Sequence, residues 1–223
     1  MSPTLKPLIF FLLISSAAMT QELQIPFYQK IDQPNWYRID GYGFISKTDT
    51  LWDVSGQFND SDLSGEVKMA WNHEGLHFHI DWQDDTVDTK FLPLSASTIQ
   101  SPSGRRMDAM YLFDNLKIQL RTNELNYSCW LAPAENSLQW HLLRVNKSKV
   151  DAPKPSITNH TSENGMVMTV KIDWADLGIE PKKSDQFNLI IVLNDVDQPG
   201  SSTQERINSN RKYITLSKNI ILL

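Results

Sequence analysis

From Ser64 to Thr89 the chain reads SGEVKMAWNHEGLHFHIDWQDDTVDT. Val67, Met69 and Trp71 fall on one parity, and Leu76, Phe78 and Ile80 repeat the alternation after Asn72-His73-Glu74-Gly75. Successive side chains of a strand point to opposite faces. Alternation on both sides of a turn-forming tetrapeptide therefore predicts a β-hairpin with one buried face. Asp81, Asp84, Asp85 and Asp88 follow directly as an acidic cluster.

The rest of the chain repeats this grammar. In Asn115 to Arg121, Leu116, Ile118 and Leu120 point one way and Lys117, Gln119 and Arg121 the other. Asn126 to Leu131, Ser137 to Val145, Met166 to Trp174 and Phe187 to Leu193 also read as strands, and Tyr213 to Leu223 supplies the last one or two. Ala175 to Ile179 predicts one helical turn closed near Gly178. Phe91 to Arg106 and Lys147 to Asn164 read as loops by composition. Gln21 to Asn59 is expected to wrap the fold, anchored by Trp36, Tyr37 and Trp52. Strands dominate and long amphipathic helices are missing, so the fold class is all-β, an antiparallel sandwich or barrel. At 223 residues one such sandwich is of normal size, so a second domain is not required.

Leu8 to Ile14 is a short apolar run behind Lys6, and Ser15 to Ala18 are small. This pattern predicts a signal peptide over residues 1–20, followed by a single domain over 21–223. The expected location is therefore exported, periplasmic or extracellular, with no membrane span in the mature chain. A net charge of -5 argues against nucleic acid and anionic membrane as partners. Cys129 is the single cysteine, which rules out an internal disulfide scaffold and reads as a buried apolar residue. The Asn-x-Ser/Thr sequons at Asn59, Asn126, Asn146 and Asn159 matter only in a eukaryotic secretory pathway.

Several short motifs occur in an order that resembles the family 9 carbohydrate-binding modules. They are Ile39-Asp40-Gly41, then Trp52, Val67 to Trp71, Gly75-Leu76-His77-Phe78 and Asp84-Asp85-Thr86. Asp114 to Ile118, Ile172 to Gly178 and Asn194-Asp195-Val196-Asp197 complete the series, which covers roughly residues 36 to 223. The segment after Asp197 lacks the family's usual Trp, and Phe91 to Arg106 departs from family wording. The resemblance implies an immunoglobulin-like or jelly-roll sandwich that binds glycans without catalysis, in some members with calcium. It further implies a role beside a glycoside hydrolase in polysaccharide breakdown. A branch of the same fold carries haem b in exported electron-transfer subunits, and Trp82-x-Asp84-Asp85-Thr86 is similar to that branch.

Sugar rings stack their C–H faces on flat aromatic side chains while amides, carboxylates or Arg bind the hydroxyls. Of the 7 tryptophans, Trp71 and Trp174 share parity with core residues, and Trp52 matches a family packing position. Trp130 alternates with Tyr127, Cys129 and Leu131, so it is expected on the outer face as a stacking platform, with Gln119 and Arg121 binding hydroxyls. Trp140 is a further candidate, as is Trp82 if its strand has ended by that point. For calcium, a hard cation that takes several oxygen ligands, the expected sites are Asp84 and Asp85 in one turn and Asp195 and Asp197 in another. Solvated turns with Asx capping bonds are the competing reading. His77, His79 and Asp81 share one outward face without a further ligand. Met69, Met107, Met110, Met166 and Met168 are the candidate axial ligands for haem.

No carboxylate pair is marked out by a motif among the 26 acidic residues, and nucleophile elbows, P-loops and dinucleotide fingerprints are absent from the sequence. The expected function is thus an exported, non-catalytic carbohydrate-binding protein. The alternatives are a haem-b subunit of the same fold and a structural envelope protein without a ligand.

Overall fold

The computed structural model describes residues 22–43, 45–47, 63–84, 87, 98–100, 106–108, 112–134, 137–145, 148–149, 155–162, 165–196 and 212–223. In chain order the elements begin with β1 (Leu23–Ile25), α1 (Gln33–Trp36), β2 (Tyr42–Gly43), β3 (Ile45–Lys47), β4 (Leu63–Trp71) and β5 (Gly75–Asp84). Then come β6 (Thr98–Gln100), β7 (Arg106–Asp108), β8 (Asn115–Arg121), β9 (Asn126–Ala134), β10 (Ser137–Val145) and β11 (Ser148–Lys149). The last are β12 (Ser156–Ser162), β13 (Gly165–Asp173), α2 (Trp174–Leu177), β14 (Gln186–Asp195) and β15 (Lys212–Leu222).

Apart from a separate β6–β7 pair, the described strands form two facing sheets, as the alternation predicts. One is 5-stranded in the order β12-β13-β5-β4-β2. The other is 8-stranded in the order β1-β15-β14-β8-β9-β10-β11, with β3 also pairing β15. All neighbours within the two sheets are antiparallel except β1, which runs parallel to β15. Inward positions of β4, β5 and β13 (Val67, Phe78, Ile80, Met168, Val170) meet those of β8, β9 and β14 (Leu116, Ile118, Cys129, Leu131, Leu189, Ile191) in one buried cluster. Burial pushes the Cys129 thiol up to about 11, which keeps it neutral and unreactive.

The hairpin turn between β4 and β5 is built by Asn72, whose side-chain oxygen accepts from the backbone N–H groups of Glu74 and Gly75 at 2.9 and 3.0 Å. That is an Asx turn. Trp174 closes the same end. Its indole N–H donates to the Asn72 carbonyl at 2.8 Å and its backbone N–H to that of Glu74 at 3.0 Å. Gly178 then ends α2 at φ 67, a left-handed conformation that glycine adopts without steric cost.

Three expectations need correction. The polar segments expected to be loops contain strands: β6 pairs β7 within and just beyond Phe91 to Arg106, and β12, within Lys147 to Asn164, pairs β13 along its whole own length. β12 lies at the edge of its sheet, where polar residues blunt pairing with other chains, so its composition resembles a loop's. Of the expected anchors, Trp36 is buried against Ala70, but Tyr37 is 84% exposed and anchors nothing. Trp52 lies outside the described residues. The last strand expected near Tyr213 to Leu223 is there as β15, Lys212–Leu222.

Candidate functional site

Inward parity along three core strands ends in aspartate. On β5 the series Leu76, Phe78, Ile80, Trp82 continues to Asp84; on β14 Leu189, Ile191, Leu193 continues to Asp195; Asp114 precedes Leu116, Ile118, Leu120 of β8. β5 ends, β14 ends and β8 begins at the same end of the sandwich. One carboxylate oxygen from each of Asp84, Asp114 and Asp195 lies within 4.8 Å of the other two. The three residues are 2%, 0% and 1% exposed. The site therefore bridges the sheets, with Asp84 from one and Asp114 and Asp195 from the other.

The neighbouring backbone is pinned. Val196 N–H donates to Asp114 Oδ1 at 2.8 Å. The side-chain amides of Asn115 and Asn194 both donate to the Phe113 carbonyl, at 2.8 and 2.9 Å. Asp114 is thus held between its own strand and the end of β14. Three carboxylates in this arrangement repel one another when ionised, on the order of 3 kcal/mol per pair at an effective dielectric of ~20. A hard cation reverses the sign, and an all-oxygen, buried donor set of this kind fits calcium.

This geometry revises the sequence expectation. Asp84 and Asp195, expected in two separate turns, belong to one cluster, and Asp114 joins them. Asp85 and Asp197 lie outside the described residues. Asp81 sits on the opposite parity, on the outer face with His77 and His79. The signal that could have found Asp114 is the inward parity itself, since a carboxylate continuing a hydrophobic row must be neutralised where it is buried.

The aromatic candidates divide. Trp130 faces away from the inter-sheet core, as its parity predicts, and forms a small apolar cluster with Ala132. It is nevertheless only 2% exposed, so it offers no open stacking face. Parity assigns the face of a sheet, whereas exposure depends on what covers that face. The Lys117 ammonium lies 4.8 Å from the Trp130 ring centroid, a cation–π contact across the β8–β9 pair. Gln119 is also buried and donates to the Asn126 side-chain oxygen at 3.0 Å, while Arg121 is exposed at the end of β8. Trp82 is fully buried between the sheets, because β5 continues through Asp84 and does not end before it. It is a core residue and not a platform. Trp140 stands opposite Leu131 in the β9–β10 register, next to a bulge, and its side chain lies outside the described residues.

The histidine face carries no metal constellation among the described residues. His77 Nε2 is 3.4 Å from Asn72 Oδ1, and His79 stacks on Trp36 with ring centroids 5.3 Å apart. Burial, reinforced by the Lys171 ammonium, lowers His77 to about 4, so it is neutral at physiological pH. Met69, Met166 and Met168 are buried in the core between the sheets. Met107 and Met110 fall where side chains are not described. No helix among the described residues is long and apolar enough to cross a membrane.

No protein-family profile matches the chain, and no curated protein matches it. Among solved structures, it is similar to a family 9 carbohydrate-binding module from Caldicellulosiruptor kristjanssonii in complex with cellotriose. The TM-score is 0.58 at 10% identity, covering 91% of this chain and 93% of that one. A family 9 module from the same organism in complex with glucose aligns with a TM-score of 0.56 at 10% identity, covering 91% and 96%. The chain has the family 9 fold across nearly its whole length.

Proposed function

We propose that this protein is an exported, non-catalytic carbohydrate-binding module whose sandwich is braced by calcium. The observation that carries the reading is the end-to-end likeness of its fold to modules solved with cellotriose and with glucose. A fold can host unrelated functions, so the ligand has to be argued from chemistry and tested directly. Residues 1–20 act as the signal peptide, and a separate glycoside hydrolase acting on the same polysaccharide is the natural neighbour in this reading.

Asp84, Asp114 and Asp195 would hold the calcium ion. Bound there, the ion supplies positive charge that turns three mutually repelling carboxylates into a tie between the sheets. The protein's own part is to fix the carboxylates. Val196 N–H holds Asp114, and the paired amides of Asn115 and Asn194 hold the backbone of Phe113.

The test is a glycan-array screen of residues 21–223 with calcium, repeated with a chelator. Binding to defined glycans in the presence of calcium supports the reading, and weaker binding with chelator supports the brace. A blank array in both conditions overturns carbohydrate binding and leaves the envelope-protein and haem alternatives, which an absorbance spectrum separates.

A further inference from the structure

The two outer faces of the sandwich differ in charge. On the 8-stranded sheet, register places Lys47 of β3, Lys117 and Arg121 of β8, Arg144 of β10 and Lys149 of β11 in outward rows. No Asp or Glu occupies an outward position on any strand of that sheet. The outer face of the 5-stranded sheet instead interleaves Glu66, Asp81 and Asp173 with Lys68 and Lys171. There Lys68 meets Glu66 at 3.9 Å and Lys171 meets Asp173 at 2.8 Å. The whole chain carries a net charge of -5, so a strand face with cations and no carboxylate is a segregation of charge, not a reflection of composition.

The half of this face beside the aspartate cluster is covered, with Asn115, Asn194, Trp130 and Ala132 buried. Towards the β8–β9 turn it opens, and Arg121, Ser217 and Asn219 are exposed. Arg121 takes part in none of the ion pairs among the described residues. Glu124 lies in the turn beyond Arg121, off the strand face. Beside Arg121 in the register, the Asn188 amide donates to the Asn219 side-chain oxygen at 3.2 Å. That pair keeps the Asn219 amide N–H groups and the Asn188 side-chain carbonyl for a ligand. Strand geometry sets the backbones of Lys117 and Arg121 about 13 Å apart along β8, with that of Arg144 about 12 Å from each across two inter-strand steps. Cations so dispersed do not converge on one small anion. They match charges repeated along a polymer.

We propose that the open half of this face binds an acidic polysaccharide, its carboxylate or sulfate groups drawn to Arg121 and Lys117 and its hydroxyls meeting the Asn188 and Asn219 amides. Arg144 and Lys149 extend the positive field along the same face. The inference rests on the carbohydrate-binding reading and adds to it a surface and a charge class of ligand. An Arg fork suits a carboxylate or sulfate, and the neutral amides between the cations suit the hydroxyls between acid groups. Other polyanions fit less well. The exposed large apolar side chains among the described residues, Tyr37 and Leu223, both lie off this face, so it offers neither a bare ring for a nucleobase nor a wedge for a bilayer.

The experiment measures, by thermophoresis, the affinity of protein expressed from the full chain for polygalacturonate, dextran sulfate and uncharged dextran. Each is run at about 50 mM and about 300 mM salt. Duplex DNA and phosphatidylserine vesicles serve as the competing polyanions. Arg121→Glu reverses one exposed charge on the face, and Arg144→Glu reverses another should the first variant fail to fold. Lys30→Glu makes the same change in net charge at a side chain 85% exposed and outside both sheets. Melting curves verify folding of each. The proposal expects binding to at least one acidic polysaccharide and not to dextran, weaker at the higher salt. It expects about a tenfold loss in Arg121→Glu and in Arg144→Glu, with Lys30→Glu within about twofold of the wild type. No binding to either acidic polymer, equal binding to dextran, equal losses in all three variants, or tighter binding to DNA or vesicles overturns the proposal. A parallel titration with cellotriose separates the two failures: if cellotriose still binds, only the acidic face is lost.

Discussion

The two ends of this sandwich are closed by different chemistry. At the hairpin end, Asn72, Glu74 and Trp174 satisfy one another through short hydrogen bonds, and α2 folds over them. The charged groups there, Glu74, Lys171 and Asp173, are paired and reach solvent. At the other end, three buried carboxylates converge from both sheets. The first end is complete as protein. In the calcium-braced reading proposed above, a cation at the second end would make it the end whose order a solution condition can change. A fold that needs only rigidity would close both ends in the first way.

The comparison breaks most readily at the self-closed end. Trp174→Ala removes a buried indole and strands the Asn72 carbonyl. Denaturant unfolding should show a loss of about 3–5 kcal/mol, with or without calcium. At the aspartate end, chelation should lower the melting temperature of the wild type by an amount equivalent to about 2–3 kcal/mol when calcium had stood near a hundred times its Kd. Asp195→Asn should abolish that dependence. With or without chelator, this variant should melt below the calcium-loaded wild type.

Acid should weaken the hairpin end through His77. Its folded value, about 4, lies below the unfolded 6.5, so the unfolded chain binds the proton first. The stability it contributes is complete above pH 6.5 and is lost as pH falls towards 4, on the order of 2–3 kcal/mol. Unfolding curves of His77→Gln between pH 7 and pH 4 should be flatter than those of the wild type by about that amount. The smallest effect is expected of Lys171→Ala. Its contacts to Asp173 at 2.8 Å and Glu74 at 3.2 Å are partly exposed, so the loss at neutral pH should stay under about 1 kcal/mol. The same change removes a positive neighbour of His77, and NMR titration should find the His77 value raised.

Much of the fold was legible because period-two alternation is set by the geometry of the strand itself. The core rows of β4, β5, β8, β9, β13 and β14 and the turn at Gly178 follow from it. β12 was not legible, since an edge strand with polar residues looks like a loop until its partner β13 is known. Trp130 shows the same boundary: parity states which face a side chain takes, and the burial of that face is a tertiary fact. The aspartate cluster was half legible. Asp84 and Asp195 stood out as acidic turns, but that they meet each other and Asp114 depends on β5 and β14 ending where β8 begins. Its trace in the sequence is an inward row that finishes in a carboxylate, three times over.

The most direct test of the account is a calorimetric titration of calcium into metal-free protein, with Asp195→Asn in parallel. The account predicts a saturable binding event in the wild type that the variant lacks, with a matching rise in melting temperature. A wild type that takes up no calcium, or one whose variant binds calcium equally well, would contradict it.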